Sequence, residues 1–242
     1  MEFATRSMRA EEVREILSLD TDELLRRSNG QLKVFDTLEE VYNYLAEEMV
    51  GEFEKASKGD KLVSFIMPVG PTQPYRLMAE KINMRSVSLK NVRFFFMDEY
   101  VDDIKDELIP ETSPLSFRGQ AGRLFFDRVR PELLMPREQI IFPTPQNMAD
   151  LPRMIEEGGG IEVCYGGIGI HGHVAFNEPE EGVADSNPRI LEINAYTRTI
   201  DAARHKGVAG NLENFPRRAI TMGMRQCLGA RRMLLMTRNE SR

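Results

Sequence analysis

The chain has 242 residues, 41% of them apolar and 29% charged, and a formal net charge of −6. That length suits a single substantial core, and the acidic balance argues against general affinity for nucleic acid or an anionic membrane, leaving an anionic small molecule held by local arginines as the expected partner. Cys164 and Cys227 are too few for a disulfide framework and sit among apolar residues, which points to buried thiols in a reducing compartment. No apolar run approaches the roughly 20 residues of a bilayer span, and the opening MEFATRSMRAEEVREIL has no hydrophobic core of the signal-peptide kind, so a cytoplasmic location is expected.

Residues 10–28 read as a charged amphipathic helix, part of a helical extension over about residues 1–34 of a single domain that fills the rest of the chain. Asp36 and Glu39 have the spacing of a capping box for the helix behind them, where Leu38, Val41, Tyr42, Leu45, Met49 and Phe53 recur near a 3.6-residue period. Leu62–Met67 is short, apolar and not alternating, as expected of a strand buried on both faces. The pattern then repeats: a turn-rich Pro68–Pro74, a helix over 75–82, a strand over 92–97, a helix over 117–129, a short strand at 140–142, a helix over 148–157 and a strand over 161–165. Further strands are expected at 189–193 and 233–236. Strands alternating with helices predict an α/β fold with a mostly parallel sheet and helices on both faces. The polar connection from Asp98 to Ser116 suits a lid or a contact in a homo-oligomer.

In open α/β sheets, ligands bind beyond the carboxyl ends of the strands. Three unusual segments fall there: Pro68–Pro74, Asp98-Glu99-Tyr100 and Gly166–Pro179. An apolar strand running into two carboxylates is either a solvated strand end or a source of a general base with a pKa raised by burial. In GGIGIHGHVAFNEP, His171 and His173 read as a polar turn, as two ligands of a metal completed by Glu178 or Asp98, or as an acid/base oriented by a carboxylate. Two histidines without a third, or a cysteine, make a weak metal signature, and no metal is expected. Gly167 and Gly169 suit backbone N–H groups that face an anion.

The segments MDEY (97–100), GGIGIHGHVAFNEP (166–179) and ITMGM (220–224) resemble the glucosamine-6-phosphate deaminases, part of a wider group that includes the 6-phosphogluconolactonases. The match runs in order from about residue 35 to about residue 240. The resemblance implies a Rossmann-like doubly wound sheet. It also implies isomerising deamination of a phosphorylated 2-amino sugar, such as glucosamine 6-phosphate, to a ketose phosphate and ammonium without a cofactor. It assigns ring opening to His173, orientation of that histidine to Glu178, and proton transfer from C2 to C1 to Asp98.

It also marks departures. His171 stands where the family has an aspartate, and Val69 and Pro71 alter the first phosphate loop, in which Gly70 and Thr72 survive. The terminal TRNESR lacks the family's lysine, with Ser241 near its position and Arg238 or Arg242 as substitutes. Arg189 matches a family arginine, and Arg204 lies one residue from the register of a phosphate-contacting one. These departures keep a phosphosugar lactonase or other hydrolase, and a non-catalytic sugar-phosphate-binding protein, as alternatives.

Overall fold

The structure, a computed structural model, describes residues 4–169, 172–205 and 207–237. The chain divides into two compact units, residues 1–41 and 42–242. In the first, the expected single helix over 10–28 is two: α1 (Ala4–Leu17) and α2 (Thr21–Arg27). Asp20 ends the run because its side chain accepts from Glu23 N–H (2.8 Å) and so starts a new helix. The capping box before α3 (Leu38–Ser57) is one residue displaced from expectation. Thr37 Oγ1 accepts from Glu40 N–H (3.2 Å) while the Glu40 carboxylate accepts from Thr37 N–H (3.0 Å).

The second unit is built on β1 (Val63–Met67), α4 (Gln73–Arg85), β2 (Val92–Phe96), β3 (Asp98–Val101), α5 (Phe117–Ala121), β4 (Ile140–Ile141), α6 (Leu151–Glu157), β5 (Val163–Gly167), β6 (Arg189–Glu192), α7 (Ala195–Arg204), β7 (Arg218–Thr221), α8 (Met224–Leu228) and β8 (Arg232–Met236). The helix expected over 117–129 turns into a π-helical segment at Gly122–Phe126.

Five strands form a parallel sheet in the order β4-β2-β1-β5-β8. The strand direction of growth reverses between β1 and β5, which is the switch point where a doubly wound sheet opens a crevice. The core under the sheet is aromatic. Phe53 of α3 meets Phe65 of β1 and Phe94 of β2, each with ring centroids 5.1 Å apart, and all three side chains are fully buried. Truncating Phe53 to Ala would cost about 3–5 kcal/mol by the usual cavity and transfer penalties.

One expectation needs correction. The strand at 189–193 does not extend the parallel sheet; as β6 it joins β3 and β7 in a separate antiparallel sheet of order β3-β7-β6. The fold is therefore α/β with mixed strand directions and flanking helices. Only Met97 separates β2 from β3, and it joins the two sheets: its N–H donates to Met67 O of β1 (3.0 Å) and its carbonyl accepts from Met222 N–H beside β7 (2.6 Å).

Candidate active site

A cleft of about 190 Å³ opens at the carboxyl ends of β1 and β5. Its walls come from the 68–71 loop after β1, from Met97 and Asp98 between the two sheets, from Gly167–Gly169 after β5, and from one face of α7. Val69 and Gly70 line it, as does Pro71, which follows a cis peptide bond. Thr72 lies at the start of α4, outside the lining.

The β3 pleat separates the two adjacent carboxylates. Asp98, 8% exposed, lines the cleft, and burial, reinforced by the charges of Glu99 and Asp201, pushes its pKa up to about 8. Glu99 is fully buried on the other side. It accepts from Ser116 Oγ (2.9 Å), Phe117 N–H (3.0 Å), Arg118 N–H (2.9 Å) and Arg118 Nε (3.3 Å), anchoring the start of α5. Glu99 is thus an anchor, and Asp98 is the carboxyl group that lines the cleft.

His173 also lines the cleft. Its Nδ1 lies 3.4 Å from Glu178 Oε1 and 3.4 Å from Thr197 Oγ1, and the Thr197 hydroxyl is 3.1 Å from the same Glu178 oxygen. The glycines explain how the ring fits. A Cβ on Gly169 would stand 1.9 Å from His173 Nε2, so only a residue without a side chain leaves room for the imidazole. Gly172 turns the loop at φ +82°, a conformation that favours glycine. The Gly169 N–H donates to His173 O (2.8 Å), so it is committed to the loop and not turned toward an anion, contrary to the expectation from sequence.

Asn177 locks the following turn. Its amide donates to Val174 O (3.1 Å) and Met222 O (2.9 Å), and its oxygen accepts from Arg189 (2.8 Å). The structure thus gives Arg189 a bracing contact and leaves it outside the lining, away from the phosphate role expected of it. Arg204 does line the cleft, as does Gly167. His171 falls outside the described residues, as do Arg238, Ser241 and Arg242. Among the described residues, no group of three or more His, Cys, Asp or Glu side chains gathers to hold a metal ion.

Two polar cleft residues escaped the reading from sequence, Thr197 and Asp201, both on α7. Thr197, Asp201 and Arg204 recur at the four-then-three spacing of one helix face, and Asn194 caps that helix by accepting from Tyr196 N–H (2.9 Å). The signal was present as a cap followed by a polar stripe.

No family model matches the chain. The glucosamine-6-phosphate deaminase of Caenorhabditis elegans is 27% identical over 210 residues, spanning 85% of this chain and 75% of that protein. A solved monomeric glucosamine-6-phosphate deaminase, described as a missing link of the NagB superfamily, superposes with a TM-score of 0.66 at 20% identity, over 80% of this chain and 78% of that one. The 6-phosphogluconolactonase of Thermotoga maritima does so with a TM-score of 0.55 at 15% identity, over the same shares of the two chains. The chain therefore has a NagB/6-phosphogluconolactonase-like superfamily fold. A glucosamine-6-phosphate deaminase and several 6-phosphogluconolactonases share that fold, and in sequence the chain is distantly related to the deaminases.

Proposed function

We propose that the chain is a hydrolase acting at the C1 end of a phosphorylated sugar, and that hydrolysis of a phosphosugar lactone is the reaction its geometry supports best. The observation that carries this reading is the pairing, in one cleft, of the His173–Glu178 couple with an Asp98 that is mostly protonated near neutral pH. His173 takes a proton from water as its oxygen attacks the lactone carbonyl. The Asp98 carboxyl group donates a hydrogen bond to the developing oxyanion. The C1–ring oxygen bond then breaks, and the imidazolium returns its proton to the ring oxygen. Arg204, Gly70 and Gly167 line the wall that receives the phosphate, and no step calls for a cofactor.

A second reading, isomerising deamination, is favoured by the deaminase relatives and by Asp98 itself. The ammonium of an amino sugar bound beside Asp98 would favour its charged form, converting the carboxyl group into a base for the C2 proton. Incubation with 6-phosphogluconolactone and with glucosamine 6-phosphate, following acid and ammonium release, decides between the two. Acid from the lactone without ammonium from the amino sugar supports lactone hydrolysis. Ammonium release that disappears in Asp98→Asn replaces it with deamination. Phosphosugar binding with no turnover of either compound refutes both and leaves a sensor.

A further inference from the structure

We infer that Thr197 is a positioning residue that fixes the tautomer of His173 and so aims a lone pair of Nε2 at the cleft. The inference rests on the reading of His173 as the cleft's acid–base group, but its first test does not depend on any reaction.

A threonine hydroxyl has one proton to give. That proton goes to Glu178, whose Oε1 is the nearer acceptor at 3.1 Å. The hydroxyl then faces His173 Nδ1, 3.4 Å away, with lone pairs alone. A contact between two lone pairs would be repulsive, so Nδ1 carries the proton. The same Nδ1 faces Glu178 Oε1 at 3.4 Å, an acceptor as well. Both neighbours therefore demand the Nδ1–H form, and in a neutral imidazole this leaves Nε2 as the acceptor.

Thr197 is suited to the task by its setting. It is 4% exposed and stands in the first turn of α7, whose start is fixed by the Asn194 cap. Its hydroxyl also restrains the Glu178 oxygen that His173 uses, so one side chain sets both members of the couple. The far edge of the ring packs against Gly169, which blocks tilting on that side and leaves Thr197 and Glu178 to hold the Nδ1 side.

The test is nitrogen NMR on histidine-labelled full chain, at a pH well above the ordinary imidazole value of about 6.5. The three histidines (171, 173 and 205) are assigned with His173→Gln as the reference for loss of signal. Wild type and Thr197→Ser are expected to show His173 as the Nδ1–H tautomer. Thr197→Val, which keeps shape but neither donates nor accepts and so frees the Glu178 oxygen from its restraint, is expected to show a smaller share of the Nδ1–H tautomer than wild type, and Thr197→Ala to do the same should the valine variant fold poorly. With whichever phosphosugar is turned over, kcat should fall about 10-fold in Thr197→Val at nearly constant KM and recover in Thr197→Ser. A wild-type His173 protonated on Nε2, or a Thr197→Val or Thr197→Ala spectrum identical to that of wild type, would overturn the inference. If no phosphosugar is turned over, the proposed function falls while the spectra still decide the role of Thr197.

Discussion

Replacing Asp98 with asparagine removes one titrating group while keeping its shape, and its effect on stability is calculable. The carboxyl group is buried and its pKa stands at about 8 against an ordinary 3.8. The folded state therefore holds its proton more tightly than the unfolded chain does. The stability this contributes is fully present below about pH 4, declines by about 1.4 kcal/mol per pH unit above that, and is lost once pH passes about 8. The whole interval corresponds to on the order of 5 kcal/mol, a large share of the roughly 5–15 kcal/mol typical of a folded protein. Urea unfolding of wild type and Asp98→Asn at several pH values from 5 to 9 isolates the effect as a difference between two curves. The variant should gain on wild type steadily up to pH 8 and hold its advantage above it. Curves that stay parallel would mean that Asp98 ionises near its ordinary value. It would then be charged at neutral pH, and its role as a hydrogen-bond donor to an oxyanion would fail.

Gly169→Ala places a methyl group 1.9 Å from the present position of His173 Nε2, forcing the ring aside. Because the obstructed atom ends a side chain, kcat/KM for the phosphosugar should fall about 100-fold or more while the thermal midpoint moves by only a few degrees. Glu99→Gln turns an acceptor of several hydrogen bonds into a group that also presents N–H donors to Ser116, Phe117 and Arg118. It should cost about 3 kcal/mol or more in urea unfolding, and a loss under about 1 kcal/mol would refute the anchoring role.

The large sheet was legible because β1, β2 and β5 are short apolar runs bounded by turn residues, a pattern that buried parallel strands share. The small sheet was not. Its strand β3 consists of Asp98-Glu99-Tyr100-Val101, with all four residues buried, and carboxylates at buried strand positions give no apolar signal. Asp98, His173 and Glu178 could be picked out because they follow strand-like runs in unusual company. The division of labour between Asp98 and Glu99 could not, since it depends on which face of β3 each side chain takes. Thr197 became visible only when α7 had been folded against the 173–178 loop, and Arg189 changed from an expected anion ligand to a brace for the same reason. Its partner Asn177 lies twelve residues away in sequence.

The small sheet gives the cleft a mechanical division. Asp98 pairs with Thr221 across β3 and β7, and the Thr221 hydroxyl receives the Phe176 N–H (3.2 Å) three residues beyond His173. Asn177 is stitched to the end of β7 through Met222 and to β6 through Arg189. Asp98 and the turn that follows His173 are therefore both fastened to the small sheet, while the 68–71 loop and Gly167 extend from the ends of the parallel strands. His173 is held from the other side too, by the Gly169 N–H on its carbonyl (2.8 Å), so the segment that carries it is clamped between the small sheet and the end of β5.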